Sequence, residues 1–378
     1  MKFIHLSDLH LGKRVNEYSM LEDQEYILNE IISIIDKERP DAVIIAGDVY
    51  DKPVPPSEAV MLFDSFLNKL ADRKIHTFTI SGNHDSAERM SFGSRLILES
   101  GIHISRAYEG KVEPIALEDE YGTVNVYMLP FIKPANVRRF IDGEITSYTD
   151  ALNVVISGLD IDKSERNLLI THQFVTGASR TDSEDITVGG TDNVDASVFD
   201  DFDYVALGHI HRPQNCASER IRYCGSPLKY SFSEANDKKG VTVVELFDKG
   251  NLSLRVVPLV PMRDMVELRG RYQELMQKSF YENTSYREDY THITLTDEED
   301  IMDAIGRLRT VYHNLMKLDY DNERTRFSGV ISRIDEVERK SPIELFSDFY
   351  ELQNNKPMSE EQSCFMKNLI ERVWEDER

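Results

Sequence analysis

Cysteine and long apolar runs are both scarce in this chain of 378 residues, and each shortage excludes a class of protein. The three cysteines, Cys216, Cys224 and Cys364, are too few and too oddly numbered for a disulfide framework. No apolar run approaches the roughly 18 residues that a membrane span needs, and the chain opens on a strand-like segment that lacks the apolar core of a signal peptide. We therefore expect a soluble, cytoplasmic protein with no membrane contact.

Positive charge is also in short supply. Forty-four Lys and Arg residues stand against 67 Asp and Glu residues, which gives a net charge of −23 at pH 7. This balance argues against a protein that holds nucleic acid by covering its phosphates with basic side chains. An acidic chain can still act on nucleic acid where bound cations or a basic partner face the phosphates. The composition is otherwise typical of a globular protein of about two domains.

The first 260 residues alternate strand-like and helix-like segments. Short β-rich runs predict strands over residues 2–6, 42–46, 76–80, 124–129, 168–171 and 204–207. Apolar residues at helical spacing predict helices over 21–35 and 57–70, and two later runs, 240–247 and 252–258, predict a closing hairpin. Strands that alternate with helices are typical of an α/β domain with a buried sheet, which we place at residues 1–260.

A domain junction is predicted at Pro258 and Pro261, because prolines at this spacing resist both a helix and a central strand. Beyond it, strands are predicted at 292–295 and 315–318. Between them, we expect Asp297 to cap a helix that runs to about residue 314. These elements predict a small α+β domain at residues 261–338.

Residues 339–378 are predicted to form a pair of helices. Ser359 and Gln362 have the spacing of a capping box, so the second helix begins there. Its apolar residues share one face: Phe365, Leu369, Ile370, Val373 and Trp374. Such a face usually packs on the chain's own domain, but a short helical pair has little core of its own, and a partner's groove is an equally good explanation.

Five of the predicted strands end in side chains that can bind a metal. In chain order these are Asp8 and His10, Asp48 and Asp51, Asn83 and His84, His172, and finally His209 and His211. The carboxyl ends of strands in an α/β sheet converge on one crevice, so these groups can meet in space. Each motif alone is common turn chemistry, but five of them at five strand ends are hard to explain by chance.

The five motifs are D-x-H, G-D-x-x-D, G-N-H-D, a lone histidine and G-H-x-H, and together they resemble those of the calcineurin-like metallophosphoesterases. Within that superfamily the chain resembles the SbcD family of nucleases, with supporting similarity in residues 3–13, 80–86, 204–214 and 223–227. The resemblance covers essentially the whole chain. It implies an α/β metallophosphoesterase sandwich with a small α+β capping domain and a C-terminal helical pair.

The residue types of the candidate ligands also support a pair of metal ions, independently of this resemblance. Two divalent ions roughly 3.5–4 Å apart need about seven protein groups. Seven are present: Asp8, His10, Asp48, Asn83, His172, His209 and His211. Oxygen and imidazole donors without thiolate suit manganese, iron or zinc, and the resemblance favours Mn²⁺. It also implies that Asp48 bridges both ions, with Asp8, His10 and His211 completing one site and Asn83, His172 and His209 the other.

Two adjacent ions activate a water nucleophile near neutral pH and offset the charge on phosphoryl oxygens. The leaving oxygen then needs a proton. His84 is the predicted donor, because its neighbour Asn83 is held at the metals and fixes its position. The arrangement in related phosphatases implies that the carboxylate of Asp51 orients this imidazole.

The resemblance implies a nuclease subunit that hydrolyses DNA phosphodiesters, as a 3′→5′ exonuclease on double strands and an endonuclease at single strands and hairpins. It implies roles in DNA end processing, repair, recombination and replication. It further implies an SbcC-like coiled-coil ATPase as partner and a homodimer within a heterotetramer. Two alternatives stay open. A phosphatase or cyclic-nucleotide phosphodiesterase would carry the same site, and a non-catalytic scaffold would be expected to lose ligands, of which none is missing.

Overall fold

The structure, a computed structural model, describes residues 1–184, 192–323, 325, 343, 346, 347, 349–351 and 356–376. The chain divides into two compact units, Met1–Met265 and Val266–Arg378. The predicted boundary between residues 338 and 339 lies outside the described residues. Within them, no helix has the length and apolar character that crossing a bilayer requires.

Short strands and helices alternate along the described residues of both units. The strands, in chain order, are β1 Lys2–Leu6, β2 Arg14–Val15, β3 Tyr18–Ser19, β4 Ala42–Ala46, β5 His76–Ile80, β6 Ile102–Ile104, β7 Ile115–Asp119, β8 Gly122–Leu129, β9 Arg166–His172, β10 Phe174–Val175, β11 Asn193–Val194, β12 Tyr204–Gly208, β13 Gln214–Cys216, β14 Ser218–Tyr223, β15 Gly240–Leu246, β16 Leu252–Pro258, β17 Met265–Gly270, β18 Tyr290–Leu295 and β19 Asn314–Tyr320. The α-helices are α1 Leu21–Glu38, α2 Ser57–Asp72, α3 Ala87–Met90, α4 Ser94–Ile97, α5 Pro134–Val137, α6 Tyr148–Ser157, α7 Tyr272–Leu275, α8 Lys278–Tyr281, α9 Ala304–Leu308 and α10 Glu360–Asp376. Short 3₁₀ turns occupy Leu98–Ser100, Ala196–Phe199 and Phe232–Glu234.

Two six-stranded sheets make up the first unit. One has the strand order β16-β15-β1-β4-β5-β6, and β1, β4, β5 and β6 run parallel. The other has the order β13-β14-β12-β9-β8-β7, and β14, β12, β9 and β8 run parallel. The hairpin predicted at residues 240–258 is confirmed as the antiparallel pair β15 and β16. Parallel strands bring their carboxyl ends to one edge of each sheet, which is where the candidate site residues follow.

The two sheets pack face to face and share one apolar core. Phe3, Ile44 and Phe78 from the first sheet lie in one buried cluster with Leu168 and Tyr204 from the second. Strands buried on both faces explain why the sequence shows continuous apolar runs rather than alternation. The predicted α/β sandwich is confirmed.

Helix α1 shows how local sequence sets the outer layers. Its first turn carries acidic Glu22 and Asp23, and its last turn carries Lys37, which suits the helix dipole at both ends. Arg39 follows in the left-handed conformation and ends the helix. The apolar face that includes Ile31 is buried. On the second sheet, helix α6 plays the same part and buries its apolar face in another cluster.

The second unit contains a three-stranded sheet in the order β17-β18-β19. Its two predicted strands are confirmed with longer bounds, and α9 packs in the same cluster through Leu308. The helix predicted from Asp297 to about residue 314 is wrong, because α9 covers only Ala304–Leu308. Asp297 instead accepts a hydrogen bond from the backbone N–H of Tyr272 at 2.7 Å. Asp303, just before α9, has φ +50°, so the helix does not extend towards Asp297.

The capping box predicted before the last helix is confirmed. The backbone N–H of Ser359 donates to the side chain of Gln362 at 2.9 Å, and that of Gln362 donates to the hydroxyl of Ser359 at 3.3 Å. On α10, Phe365 and Leu369 are exposed. The side chains of Ile370, Val373 and Trp374, and most of the first helix of the predicted pair, lie outside the described residues.

Candidate metal centre

All the predicted ligand side chains lie in one cluster at the carboxyl ends of five strands, and all are buried except the half-buried Asn83. Three overlapping groups have ligand atoms within 4.8 Å of one another. Their members are Asp8 with His10 and His211, Asp48 with His172 and His209, and His10 with Asp48 and His84. Asn83 joins through its Oδ1 atom, 2.9 Å from Nδ1 of His209 and 3.1 Å from Nε2 of His172.

The backbone at this cluster is held in a conformation that most side chains avoid. Asp8, His10, Asp48 and His209 have φ values of +54°, +44°, +49° and +99°. Each such residue costs of order 1–3 kcal/mol, which the surrounding structure must offset. Gly208 allows the close approach of the two sheets here, because a Cβ at this position would collide with the carbonyl oxygen of Ala46. Strain concentrated on candidate ligands indicates a functional site.

One half of the cluster is built around His10 and His211. Their Nε2 atoms lie 3.0 Å apart. Asp8 is fixed beside them by the backbone N–H of His209, which donates to its two oxygens at 3.1 and 3.2 Å, and by the hydroxyl of Ser7 at 2.5 Å. Nδ1 of His10 has no hydrogen-bond partner within the described residues. Two imidazole nitrogens that converge beside a carboxylate are a suitable donor set for a cation.

Asp48 lies between the two halves. Its Oδ2 atom is 3.2 Å from Nε2 of His172 and 3.7 Å from Nε2 of His10, whereas its Oδ1 accepts the backbone N–H of His84 at 2.9 Å. Nδ1 of His172 contacts the carbonyl oxygen of Ala46 at 2.7 Å. A carbonyl only accepts, so Nδ1 carries a proton, and in the neutral ring Nε2 keeps its lone pair for the cluster.

Burial and the crowding of charges shift the pKa values of this cluster strongly. Burial lowers the pKa of His209 to about 3 and holds those of His10 and His211 well below the ordinary value. These imidazoles are therefore neutral at pH 7, which is the form that binds a metal. Burial raises the pKa of Asp8 to about 7, with a further contribution from the nearby carboxylate of Asp48.

His172 and Asp48 shift in the opposite directions, as a charged pair does. Burial acts to lower the pKa of His172, but Asp48 and Asp8 outweigh it and raise that pKa to about 9. Burial likewise acts to raise the pKa of Asp48, but His172, His10 and His84 outweigh it, and the pKa falls well below its usual range. The carboxylates thus attract positive charge into the space that these ligand atoms enclose. A divalent cation meets the same demand, so the residues present fit a metal.

The two residues predicted to handle the proton lie at the rim. Nε2 of His84 is 3.9 Å from Oδ2 of Asp48. The carboxylate of Asp51 pairs with Lys13 at 2.7 Å and is 3.7 Å from Nδ1 of His10. Nδ1 of His84 contacts the backbone carbonyl of Asp51 at 3.2 Å. Asp51 therefore reaches His84 through its backbone, in place of the expected carboxylate contact, because Lys13 engages the carboxylate.

Asp85 is a residue of this site that the sequence reasoning did not select. Its carboxylate accepts three backbone N–H groups, from Val49 at 3.0 Å, Tyr50 at 2.9 Å and Gly82 at 2.9 Å. It thereby ties the loop after β4 to the loop after β5, which carry Asp48 and Asn83. Its place in the G-N-H-D motif was the available signal, but an aspartate that braces loops looks the same in sequence as one that binds metal.

Comparison with known proteins places this site in a family. The family described as calcineurin-like phosphoesterase matches residues 1–213, and the one described as type 5 capsule protein repressor C-terminal domain matches residues 261–354. The SbcD subunit of the nuclease SbcCD from Staphylococcus epidermidis is 34% identical over 385 residues, which cover 100% of both chains. The chain belongs to the SbcD family of calcineurin-like phosphoesterases. Among solved structures, a dimetal phosphatase from Danio rerio aligns with a TM-score of 0.43 and 12% identity, over 69% of this chain and 98% of that one.

Membership of the SbcD family confirms the resemblance inferred from the five motifs and makes this chain a metal-dependent phosphoesterase. The clustered His and Asp groups form its candidate dimetal site.

Proposed function

We propose that this SbcD-family chain is the nuclease subunit of an SbcCD-like complex and hydrolyses DNA phosphodiesters with two Mn²⁺ ions. The observation that carries the proposal is the gathering of the candidate ligands at five strand ends in a chain related over its full length to a nuclease subunit. The expected activities are a 3′→5′ exonuclease on double strands and an endonuclease at single strands and hairpins. They would serve DNA end processing, repair, recombination and replication in the cytoplasm.

The ligands would be shared between two ions. Asp48 lies centrally and would bind both of them. One ion is assigned to Asp8, His10 and His211, and the other to Asn83, His172 and His209. When bound, the pair supplies an activated water nucleophile and neutralises charge on the phosphoryl oxygens. All donors are oxygen or imidazole nitrogen, which suits manganese, iron or zinc, and the resemblance to the family favours Mn²⁺ among them.

His84 is the proposed donor of a proton to the leaving oxygen. Its backbone N–H is anchored on Asp48 and its Nδ1 contacts the carbonyl of Asp51, so the ring is held by its own chain on one side and presents Nε2 to the site. If Nδ1 donates to that carbonyl, Nε2 is the atom that exchanges the proton. Asp51 contributes to this position through its backbone, and its carboxylate holds Lys13 close to the rim.

The experiment uses the purified chain with its coiled-coil ATPase partner, Mn²⁺ and an end-labelled DNA hairpin. Wild type is expected to cleave the hairpin, and His84→Ala to lower the rate by about 10²–10⁴-fold, the range for loss of a general acid. His76→Ala removes an exposed histidine at the start of β5, at the strand end opposite the site, and is the matched control, with wild-type rate. An intact hairpin with wild type and partner present would refute the nuclease assignment.

A phosphatase or cyclic-nucleotide phosphodiesterase is the second candidate, and the net charge of −23 favours it. Turnover of a chromogenic phosphomonoester can be compared with that of DNA under the same conditions. Faster turnover of the monoester would favour this alternative.

The second unit is proposed to direct DNA, and its C-terminal helix to dock on the SbcC-like ATPase. The exposed side chains of Phe365 and Leu369 support docking, as does an apolar pocket lined by Phe346, Tyr350 and Met358 among others. Metal ions and the basic surface of the partner would provide attraction for DNA that this acidic chain lacks. Co-purification with a large coiled-coil ATPase, as two nuclease subunits in a heterotetramer, is the expected result. Loss of that association in Phe365→Glu would support the docking face.

A further inference from the structure

His211 is supported from behind by four residues far from it in sequence, which we name the His211 clamp: Ser183, Glu184, Glu234 and Lys239. The hydroxyl of Ser183 is 2.7 Å from Nδ1 of His211. The carboxylate of Glu184 accepts the backbone N–H of His211 at 2.7 Å. The ring and the backbone of this one candidate ligand are therefore both fixed by neighbouring residues of a single segment.

The hydrogen bonds of the clamp have a defined direction. The Ser183 hydroxyl lies 2.6 Å from Oε1 of Glu234. The carboxylate of Glu234, paired with Lys239, accepts, so the hydroxyl proton of Ser183 points at Glu234. The Thr181 hydroxyl, 2.8 Å from that of Ser183, donates to Ser183. The oxygen of Ser183 then accepts from Nδ1–H of His211. This leaves Nε2 of His211 with its lone pair, on the side where it faces Nε2 of His10 at 3.0 Å.

The charge at the end of this chain of hydrogen bonds is balanced inside the protein. Glu234 is fully buried and Lys239 is 6% exposed, and Nζ of Lys239 lies 2.5 Å from Oε2 of Glu234. Nζ also donates to the carbonyl of His211 at 2.8 Å and to the hydroxyl of Ser226 at 3.0 Å. The ion pair with Lys239 holds the Glu234 carboxylate in place as the acceptor for Ser183, which keeps the direction of the chain fixed.

We propose that Ser183, with Glu234 behind it, is a positioning residue that fixes the tautomer and ring orientation of His211 so that Nε2 binds a metal ion. The inference rests on the metal centre of the proposed function and extends it to residues outside the ligand set. His172 has the equivalent partner in the carbonyl of Ala46. Hydrogen bonds to the outer nitrogen of a metal-binding histidine typically change metal affinity or activity by 10–100-fold.

The first test is calorimetric titration of metal-free protein with Mn²⁺. We expect two sites in wild type and, in Ser183→Ala, a loss of about 10–100-fold in affinity at one of them. Ser183→Thr keeps a hydroxyl and is expected to restore the affinity. Ser253→Ala removes an exposed serine of β16 and is the matched control. The thermal midpoint of the metal-free variants, measured in parallel, verifies that each is folded.

The second test measures the tautomer directly, by nitrogen NMR of ¹⁵N-histidine-labelled, metal-free protein. The His211 signals are those that vanish in His211→Asn. We expect a protonated Nδ1 in wild type and a shift of the proton towards Nε2 in Ser183→Ala. In the His211→Asn background, Ser183→Ala should lower Mn²⁺ affinity no further.

The two proposals fail in different ways. If wild type binds fewer than two Mn²⁺ ions, the metal centre of the proposed function is wrong, while the NMR measurement still decides the tautomer. If wild type binds two ions and a folded Ser183→Ala binds both with unchanged affinity and keeps the proton on Nδ1, the positioning role of Ser183 is overturned and the metal centre stands.

Discussion

Removal of the Asp85 carboxylate is expected to cost both stability and metal affinity. In Asp85→Ala, the backbone N–H groups of Val49, Tyr50 and Gly82 lose their acceptor. Water can reach the half-buried Tyr50, but Val49 and Gly82 are buried. An unsatisfied buried donor costs about 1–3 kcal/mol, so these two groups lower the free energy of unfolding by about 4 kcal/mol. For a unit of this size that is a fall in Tm on the order of 10 °C.

The assay is thermal unfolding of metal-free protein followed by Mn²⁺ titration. Asp85→Asn keeps one acceptor oxygen and should fall between Asp85→Ala and wild type. Asp72→Ala, at the exposed end of α2, is the matched control and should leave both Tm and affinity unchanged. Since the two loops carry Asp48 and Asn83, the affinity for Mn²⁺ should drop together with the Tm. An Asp85→Ala protein that unfolds at the wild-type temperature would show that the three hydrogen bonds do not hold the loops together.

Three further predictions address the scaffold around the site. Gly208→Ala places a Cβ 2.6 Å from Nδ1 of His172 and should abolish tight Mn²⁺ binding, measured by titration; binding at wild-type affinity would contradict the packing argument. Arg166→Ala should lower the free energy of unfolding by about 3 kcal/mol, measured by denaturant unfolding, because the charge-assisted hydrogen bonds of this 2% exposed side chain to the carbonyl oxygens of Gly122 and Phe247 are lost, whereas Asp119 keeps its ion pair with the N-terminal amine. Backbone and side-chain hydrogen bonds lower the pKa of Asp150 to about 2, so its stabilising effect is complete above the unfolded pKa and is lost as pH falls. The Tm difference between wild type and Asp150→Ala should therefore narrow from pH 5 to pH 3. A difference that stays constant would show that the ionised Asp150 side chain does not stabilise the fold.

Strands of the first unit were predictable because their local signals agree with the fold. The structure reproduces the predicted bounds of β1, β4 and β5, each a run of five residues rich in aliphatic, aromatic or β-branched side chains. The prediction of a helix beginning at Asp297 was wrong because of a long-range contact. The Asp297 side chain accepts a hydrogen bond from the backbone N–H of Tyr272, which lies 25 positions away in sequence, and no local pattern indicates that contact.

The candidate site likewise has features that the sequence predicted and features that it did not. The clustering of its candidate ligands was predictable because each lies at the end of a strand, and strand ends converge by topology. The clamp behind His211 was not, because Ser183, Glu234 and Lys239 lie 28, 23 and 28 positions from it, on segments that only the folded sandwich brings together. Nothing in the sequence indicated that the carboxylate of Asp51 pairs with Lys13 while its backbone carbonyl contacts His84.

The left-handed backbone at Asp8, His10, Asp48 and His209 limits how this centre can be redesigned. Asp, Asn and His are the residue types that enter this region most readily after glycine, whereas β-branched residues are outliers there. A redesign for a different ion is therefore restricted at these four positions to Asp, Asn, His or Gly. Exchange for threonine would strain the main chain whether or not a metal is bound. The backbone conformation thereby limits which ligand types this centre can use.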